Sequence, residues 1–444
     1  MTFSIRVVVW AVVLMAVPFV ASAADWARFQ GPPPANIAAE KLPLTWSGTE
    51  HVKWSADIEG YGQSSPVVWG DEVFVTSISG PNKERGHVAA FHRKTGHKGW
   101  QYDFETASGM ENSSYVSKAA PSPAVDAAAL YCFFEGGNLF ALNHDGKPLW
   151  KRDLVKEYGP IESRHGISAS LEQNDELLFL WVEREKDPFV LAVDKKSGEN
   201  KWKVGGIGAT SWASPRLVPV EKQSHLVLSG IGKIVGLDPA SGKTLWSFDD
   251  ISGNSTPTPV PLGDGRFLIG ATAGRGETTA GKAAESNGLV AIRRKSDGSF
   301  QAEFVWKSKR ATSSFGSPLA YRGFAYYVNA TGVLFCQDLE TGEELYGERI
   351  GDSIWATPIA IGDRLYFFGK SGKVTVVEAG PKFKQLGEST TWEAKATATP
   401  AAPTPGGAPP RMFGGPTLYA AVVLDDQLLL RRGDKLYCIA AKQQ

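Results

Sequence analysis

One short phrase returns along most of the chain and limits what it can fold into. At 236–249 it reads "GLDPASGKTLWSFD": a short apolar strand, a turn rich in Asp, Ser and Gly, and a second strand that carries a Trp. Asp and Gly favour tight reversals, because Asp bonds its own backbone and Gly accepts positive φ. Related phrases place an aromatic residue at Trp100, Trp150, Trp202, Trp246, Trp306 and Tyr346. A period of roughly 40 to 60 residues is typical of four-stranded propeller blades.

Two more short strands precede each phrase, and the first usually begins at a Ser-Pro or Thr-Pro pair. "SWASPRLVPV" and "SHLVLSG", for example, stand before the phrase at 236–249. Alternating apolar residues with Gly and Asp between the strands indicate antiparallel hairpins. We therefore predict seven sequential blades, with inner strands that start near Ser64, Pro121, Ser168, Ala213, Thr256, Gly316 and Ala356.

An eighth blade is divided between the two ends of the chain. After Thr417 come "LYAAVVLDD", "QLLLRR" and "KLYCIA", one strand short of a blade, and the segment at about 50–58, "EHVKWSADI", has no inner strands before it. Pairing these ends leaves no open sheet edge. The predicted fold is all-β: a single eight-bladed propeller over 50–444, preceded by a lead-in at 25–49.

The aromatic residue of each outer strand is predicted to pack its blade against the next one. A buried Trp removes about 150–250 Å² from water, which makes such a contact strongly stabilising. The predicted docking residues are Trp54, Trp100, Trp150, Trp202, Trp246, Trp306 and Tyr346. The seventh repeat, "VVEAGPKFKQLGES", has no Trp in this position, so we expect looser packing of that blade.

The first 24 residues are typical of an export signal. Arg6 precedes an apolar run at 7–20, and small residues at Ala21 and Ala23 suit a signal peptidase. We expect an exported protein, periplasmic or secreted in a bacterial envelope, without a transmembrane segment, because no later apolar run approaches the ~18 residues that a bilayer requires.

Charge and cysteine content exclude some functions. The chain has 47 Lys plus Arg and 47 Asp plus Glu, so no net field attracts nucleic acid. Cys132, Cys336 and Cys438 each lie in an apolar strand, and we predict three unpaired, buried thiols. A monomer is expected.

The repeats "DPASGKTLW", "DKKSGENKW" and "DLETGEEL" after paired Ser-Pro strands resemble the pyrroloquinoline-quinone-like (PQQ-like) propeller repeat, in which the phrase is a tryptophan-docking motif. The likeness covers nearly all of the chain from Trp26 to Ala441, and the lead-in also resembles exported bacterial members of that family. The architecture it implies is similar to the propeller subunit of the outer-membrane barrel assembly machinery. The resemblance implies either a non-catalytic scaffold or a dehydrogenase that holds quinone and calcium in the central channel beneath a disulfide of adjacent cysteines.

This chain has no adjacent Cys pair, so no cofactor and no catalytic residue are predicted, and quinone and calcium enter only under the dehydrogenase alternative. Carboxylates near strand ends, at Asp103, Glu135 and Asp352, are interpreted as solvated loop groups. His87 and His92 point to opposite faces of one strand, which argues against a metal site.

Long insertions are confined to one class of connection. They lie at 105–120, 155–166, 272–287 and 392–416, the last rich in Pro and Ala. With four antiparallel strands a blade, the links between blades and the links between second and third strands emerge on the same side. We call this side the elaborated face, and loops of this kind commonly carry binding sites.

An aromatic group stands shortly before several inner strands on that face. The candidate binding residues are Tyr61, His165, Trp212, Phe315, Trp355 and Phe413. They fit two interpretations: packing between blades, or a channel mouth that stacks a sugar, a quinone or an aromatic side chain. The leading hypothesis is a non-catalytic scaffold that binds another exported protein or envelope component. The alternatives are a quinone-dependent oxidoreductase and a glycan-binding protein.

Overall fold

The structure is a computed structural model that describes residues 25–31, 41–113, 116–206, 212–251, 256–272, 284–392 and 416–441. The predicted signal peptide, most of the insertion at 392–416 and Phe413 lie outside the described residues. The described ranges contain 32 strands and one short helix, and the strands form eight four-stranded antiparallel sheets. The all-β, eight-bladed propeller is therefore confirmed.

The blades are numbered in chain order after the first strand, β1 (Val52–Asp57). Blade 1 contains β2 (Val67–Trp69), β3 (Glu72–Ser79), β4 (Arg85–His92) and β5 (Lys98–Glu105). Blade 2 contains β6 (Ala124–Val125), β7 (Leu130–Phe133), β8 (Asn138–Leu142) and β9 (Pro148–Asp153), and helix α1 (Leu154–Tyr158) follows it. Blade 3 contains β10 (Glu172–Gln173), β11 (Leu177–Val182), β12 (Phe189–Asp194) and β13 (Asn200–Gly205).

The remaining blades continue the same order. Blade 4 contains β14 (Arg216–Val220), β15 (Gln223–Gly230), β16 (Lys233–Leu237) and β17 (Thr244–Phe248). Blade 5 contains β18 (Val260–Gly263), β19 (Arg266–Ile269), β20 (Gly288–Arg294) and β21 (Phe300–Lys307). Blade 6 contains β22 (Leu319–Tyr321), β23 (Phe324–Val328), β24 (Val333–Asp338) and β25 (Glu344–Arg349). Blade 7 contains β26 (Ile359–Ile361), β27 (Arg364–Phe368), β28 (Lys373–Glu378) and β29 (Gln385–Thr390).

Blade 8 joins the two ends of the chain, as the sequence predicts. It contains β30 (Leu418–Leu424), β31 (Gln427–Arg432) and β32 (Lys435–Ala440), and β1 is its outer strand. Trp54 lies opposite Cys438 and Asp57 opposite Lys435. The ring consequently has no unpaired strand between its last blade and its first.

A belt of Ser and Thr hydroxyls links the starts of the inner strands. The backbone N–H of Ser65 donates to Ser122 Oγ at 2.8 Å, and the link repeats from blade to blade. The further links run from Ser122 to Ser170, Ser170 to Ser214, Ser214 to Thr258 and Thr258 to Ser317, at 2.9 to 3.0 Å. All six side chains are buried. The recurring Ser-Pro and Thr-Pro pairs therefore join neighbouring blades.

The repeated phrase forms a second link between blades at the outer strands. The indole N–H of Trp150 in blade 2 donates to Lys195 O at 2.8 Å, and the ring packs on Gly198 in the turn of blade 3. The same pair of contacts joins Trp54 to Arg93 O and Gly96, Trp100 to His144 O and Gly146, Trp202 to Pro239 O and Gly242, and Trp306 to Leu339 O and Gly342. The acceptor stands three residues before the Gly in four of these turns and two residues before it in the shorter turn of blade 2.

Trp246 differs from the other five tryptophans. Its indole N–H donates at 3.0 Å to Nδ1 of His225 in its own blade, and its ring stacks on Phe267 of blade 5 at 6.5 Å. The turn of blade 5 reads "RRKSDGS" and begins at Lys295, whereas the turns of blades 3, 4 and 6 begin at an Asp. The indole hydrogen bond of Trp246 thus lies within blade 4, and its ring contacts blade 5 at Phe267. Tyr346 in blade 6 packs edge-on against Phe383 of blade 7.

The junction between blades 7 and 8 is closed by aromatic residues outside the repeated phrase. Trp392 follows β29, is 7% exposed and stacks on Tyr437 of blade 8 at 5.9 Å. On the lead-in, Trp46 donates from Nε1 to Thr391 Oγ1 at 3.1 Å and from its backbone N–H to Ser389 Oγ at 2.9 Å. Two tryptophans thus pack beside the outer strand that has none of its own.

The apolar core lies between neighbouring blades rather than at one centre. One buried cluster extends from blade 7 through blade 8 into blade 1, and another unites blades 2, 3 and 4. Cys132, Cys336 and Cys438 are buried and unpaired, as the sequence predicts.

Candidate binding face and central channel

Residues 25–31 lie across the ring of inner strands, and we call them the channel segment. Trp26 exchanges two backbone hydrogen bonds with Val68 of blade 1, each 2.9 Å long. Ala27 O accepts from the N–H of Val125 in blade 2, and Gln30 Nε2 donates to Ser317 Oγ of blade 6 at 2.8 Å. Since blades 2 and 6 lie on opposite sides of an eight-bladed ring, the segment crosses the central channel.

Charged groups fix the middle of the channel segment. Glu172 of blade 3, with a side chain only 1% exposed, accepts from Arg28 Nη1 at 3.2 Å and from Arg216 Nη1 at 3.3 Å. Arg216 of blade 4 also donates to Phe29 O at 3.2 Å. Burial lowers the pKa of the Arg216 guanidinium to about 10, and Glu172 opposes that shift. The Glu172 carboxylate therefore forms an ion-pair network with Arg28 and Arg216 inside the ring.

The other carboxylates that we interpreted as solvated loop groups have specific partners. Asp103 accepts from His87 Nδ1 at 2.7 Å, and the hydrogen bonds to His87 and Gln101 help to lower its pKa against the opposing effect of desolvation. Asp352 accepts from the N–H and the hydroxyl of Ser371, each at 2.7 Å. Glu135 is buried, so the interpretation was wrong for this residue. Within the described ranges, no three His, Cys, Asp or Glu side chains are grouped so as to hold a metal ion.

The insertions at 105–120 and 155–166 enclose a cleft on the elaborated face. Its volume is about 390 Å³, and its lining combines Met110, Pro160 and Ile161 with exposed Glu162 and Arg164. Helix α1 starts the second insertion, and the Asp153 side chain caps it by accepting from Lys156 N at 2.9 Å. Because both insertions leave strands of adjacent blades, a cleft between them is held by two rigid sheets.

A buried ion pair forms the floor below this cleft. Lys83 Nζ lies 2.5 Å from Glu135 Oε1 and donates to Ser117 O at 2.6 Å. Both side chains are about 5% exposed or less. Among the described residues Glu135 Oε2 has no hydrogen-bond partner, and Glu135 lines a cavity of about 30 Å³ that shares Met110 and Ile161 with the cleft. That volume accommodates about one water molecule.

The structure divides the predicted ring of aromatic groups into two separate sets. Phe315 and Trp355 pack with ring centroids 4.7 Å apart, and Trp355 continues to Tyr419 at 5.8 Å. Tyr419 packs edge-on against Tyr61 at 6.0 Å, and their hydroxyls are 3.0 Å apart. These four residues, which we call the aromatic row, come from blades 6, 7, 8 and 1.

The second set is a pair on blades 3 and 4. His165 and Trp212 have ring centroids 5.8 Å apart, and Trp212 Nε1 donates to Gly166 O at 3.1 Å. Trp212 has φ of +67°, and its backbone N–H donates to Glu183 Oε2 at 3.0 Å. A bulky residue in the left-handed region is uncommon. Its bonds to two connections of blade 3 hold it there.

Sequence reasoning missed three of the groups that shape these sites. Tyr419 of blade 8 belongs to the aromatic row, and it was overlooked because it lies inside an alternating strand. Glu172 was missed, and so was Arg431, which is buried in β31 and donates to Thr76 O of blade 1 at 3.0 Å, because nothing in a strand pattern distinguishes a buried charge from an exposed one. The Ser-Pro pairs predicted the positions of the inner strands, but no sequence pattern predicted that the channel segment crosses them.

No helix within the described ranges is long and apolar enough to cross a membrane. The model of the family described as outer membrane protein assembly factor BamB matches residues 46–162 and 84–348. A polyvinylalcohol dehydrogenase of a Pseudomonas species is 25% identical over an alignment of 398 residues, and the match covers 75% of this chain and 57% of that protein. The chain thus spans little more than half of that relative.

Two further relatives are assembly factors. BamB of Shewanella oneidensis (strain MR-1) is 23% identical over 376 residues, 73% of this chain and 88% of that protein. The crystal structure of BamB from Moraxella catarrhalis superposes with a TM-score of 0.60 at 14% identity, covering 87% of this chain and 98% of that chain. That likeness shows the fold alone. From the repeat, the eight blades and the family match, the chain belongs to the PQQ-like propeller family described as outer membrane protein assembly factor BamB.

Proposed function

We propose that this chain is an exported, non-catalytic scaffold that binds another envelope protein through its elaborated face. The observation that carries the proposal is the contrast between the channel and that face. The channel is crossed by the chain's own residues 25–31, whereas the elaborated face offers a cleft of about 390 Å³ between two insertions. The apolar run at 7–20 supports export, and the Shewanella assembly-factor relative supports an envelope partner.

The channel lining supports a scaffold over a quinone enzyme. A quinone in the channel would need a flat slot and carboxylates that are free to hold calcium. Here Glu172 is bound by Arg28 and Arg216, and the hydroxyl belt is buried. The polyvinylalcohol dehydrogenase relative supports the alternative, a quinone-dependent oxidoreductase. The two experiments below test both functions on the same purified or envelope-bound protein.

Site-specific photocrosslinking in intact envelopes tests the scaffold. Arg164 on the cleft rim is exposed and is replaced by a photoreactive residue. Lys222 provides the matched control, because it is an exposed residue in the turn between β14 and β15 on the opposite face. We expect a discrete protein adduct at Arg164 and none at Lys222. Equal adducts at both positions, or none at any cleft position, would contradict the proposal.

A cofactor titration tests the enzyme alternative. Purified protein is mixed with pyrroloquinoline quinone and Ca²⁺, and both the unfolding temperature and the quinone absorbance are measured. A scaffold leaves both unchanged. A rise in unfolding temperature together with retained chromophore after gel filtration would favour the oxidoreductase.

A further inference from the structure

The cleft on the elaborated face adjoins the small cavity above the buried ion pair. Four residues line both spaces: Ser108, Gly109, Met110 and Ile161. The cleft and the cavity therefore meet at these residues. The cleft measures about 390 Å³, and the cavity of about 30 Å³ accommodates a group the size of one water molecule. The combined space suits an elongated side chain with a small polar end.

Both walls of the cleft are fixed to neighbouring strand links by hydrogen bonds. In the first insertion, Met110 N donates to Asn82 O at 2.9 Å, in the link between β3 and β4. In the second insertion, Glu162 O accepts from Glu185 N at 2.9 Å, in the link between β11 and β12. Arg164 N donates to Glu185 Oε1 at 3.1 Å. Walls that are already ordered reduce the entropy that is lost on binding.

Glu135 at the floor of the cavity uses only one of its carboxylate oxygens. Its Oε1 lies 2.5 Å from Lys83 Nζ and accepts from Ala119 N at 3.0 Å. Among the described residues, Oε2 has no hydrogen-bond partner, although the Glu135 side chain is only 5% exposed. A buried acceptor without a donor is destabilising, so a donor that enters the cavity relieves that cost.

The buried carboxylate of Glu172 in the channel shows how this chain uses such a group elsewhere. Two cations, Arg28 and Arg216, lie 3.2 Å and 3.3 Å from its Oε2. Glu135 has a single cation, Lys83, at Oε1. A second cation at Glu135 Oε2 would repeat in the cleft the arrangement that Glu172 forms in the channel.

The charged groups of the described lining also favour a cation. Three carboxylates line the cleft and the cavity, those of Glu135, Glu162 and Glu185. Two cations line them, Lys83 and Arg164, and Lys83 already pairs with Glu135. Because carboxylates outnumber cations there, charge complementarity selects a basic occupant over an acidic one.

We propose that the cleft binds a lysine side chain of the partner protein, with its methylene stem between Met110 and Ile161 and its ammonium group at Glu135 Oε2. The inference rests on the proposed scaffold function and adds the chemistry of the partner. Lysine stems pack along apolar surface. The ammonium group is about the size of a water molecule, whereas the planar guanidinium of arginine is larger than a cavity of about 30 Å³.

A methyl NMR titration tests this chemistry at the wall of the cleft. The chain has only four Met residues, so ¹³C labelling of their methyl groups gives few signals, and the Met110→Leu variant identifies that of Met110. The probe is a capped five-residue peptide of Gly and Leu with a central Lys. Matched peptides carry norleucine, which keeps the stem without the ammonium group, or Arg.

We expect the Lys peptide to shift the Met110 signal in a saturable way. The norleucine peptide should bind at least about tenfold more weakly, because the charge-assisted hydrogen bond to Glu135 is lost. The Arg peptide should also bind about tenfold more weakly, because its guanidinium does not fit the cavity. Equal affinities for the Lys and norleucine peptides, or no saturable shift with the Lys peptide, overturn the proposal.

A pair of matched variants locates the ammonium group. Glu135→Gln should reduce the affinity for the Lys peptide about tenfold and remove its advantage over the norleucine peptide. Glu176→Gln is the control, because Glu176 is exposed in the link between β10 and β11 on the opposite face, and it should leave both affinities unchanged. Circular dichroism checks folding. An unchanged affinity in folded Glu135→Gln overturns the proposal, and if that variant unfolds, the peptide comparison on the natural chain decides.

Other occupants give different results. Vesicles of phosphatidylethanolamine also present ammonium groups, and a Met110 shift with these vesicles but not with the Lys peptide would replace the partner's lysine with a lipid. If Arg164 crosslinks to a protein while the Lys and norleucine peptides bind alike, the scaffold stands and the inference is wrong. If no cleft position crosslinks to a protein, the scaffold itself is contradicted.

Discussion

At the scale of single residues, the repeated turn combines backbone hydrogen bonds with a Gly of positive φ, and in some blades a Trp of the preceding blade packs on that Gly. In the turns of blades 3, 4 and 6 the leading Asp accepts backbone N–H bonds from the next residues, as Asp194 does from Lys196 and Ser197. Those bonds lower the pKa of the Asp194 carboxyl, with the bond from Ser197 the largest cause. The Gly that follows has positive φ and packs under a Trp of the preceding blade wherever that Trp reaches the turn.

Gly198→Ala should destabilise the protein more than Gly298→Ala. Both glycines have positive φ, which costs a non-Gly residue about 1–2 kcal/mol. A Cβ at Gly198 would lie 2.6 Å from the Trp150 ring, but a Cβ at Gly298 meets nothing within 4 Å. The clash should add about 1–3 kcal/mol at Gly198 alone. Urea unfolding measures both, and equal losses would contradict the docking contact.

His225 should make stability depend on pH. It is 0% exposed, and desolvation lowers its pKa to about 4, below the ~6.5 expected in the unfolded chain. Between these two pH values the unfolded state therefore binds more protons than the folded state. The contribution of His225 to the free energy of unfolding is full above about pH 6.5 and is lost as the pH falls towards 4. Titration of His225 can change the free energy of unfolding by at most about 1.4 kcal/mol per pH unit.

The comparison with His225→Gln isolates this residue from the other ionisable groups. The variant keeps a polar group near Trp246 Nε1 but does not titrate. We expect the loss of unfolding free energy between pH 7 and pH 5 to be smaller in the variant than in the natural chain. Parallel pH profiles would show that His225 does not titrate in this way.

At the scale of elements, the channel segment is the feature that separates this ring from an open pore. Its contacts reach blades 1, 2, 3, 4 and 6, so it acts as a cross-link between inner strands that are not neighbours in the ring. The lead-in at 41–46 similarly packs on blade 7 through Trp46. Two stretches that precede the propeller in sequence thus complete it in space.

Glu172→Gln should destabilise the ring strongly. The change removes the negative charge that opposes buried Arg216 and partly buried Arg28, and stranding one partner of a buried ion pair costs about 3–5 kcal/mol. Asp57→Asn is the control, because Asp57 is 84% exposed in its pair with Lys435 and should matter little. Thermal unfolding compares the two. A similar small effect of both substitutions would mean that the channel network contributes little.

At the scale of the whole molecule, ring closure should make the eight blades unfold together. Each blade has two neighbours, and β1 couples the last blade to the first. The three buried thiols report on this, since Cys132, Cys336 and Cys438 lie in blades 2, 6 and 8. Burial raises the pKa of Cys336 and Cys438 to about 12 and also raises that of Cys132, so the native thiols are poor nucleophiles.

We expect an aromatic disulfide reagent to modify no thiol quickly in the native protein and all three at one rate near the unfolding midpoint. The three thiols should be modified at a single rate if separation of two neighbouring blades leads to unfolding of the whole ring. Mass spectrometry of quenched samples assigns each modified Cys. Separate rates for blades 2, 6 and 8 would show that the ring unfolds in parts.

The sequence alone determined the repeat, the number of blades, the closure of blade 8 by β1 and the buried thiols. These properties are local or periodic: turn residues, alternating apolar positions and recurring Trp specify each blade independently of the others. Even the elaborated face followed from strand parity. A short-range sequence pattern is enough to predict these properties, because every blade is stabilised by the same kinds of local contact.

Only the tertiary structure decided which side chains meet inside the ring. Arg28 and Glu172 are 144 positions apart and Tyr61 and Tyr419 are 358 apart, and their contacts depend on where ring closure places each blade. It also decided that Trp246 bonds His225 and that Tyr419 completes the aromatic row. No periodic pattern encodes such contacts, because each is made once, between elements that the chain brings together only when the ring is closed.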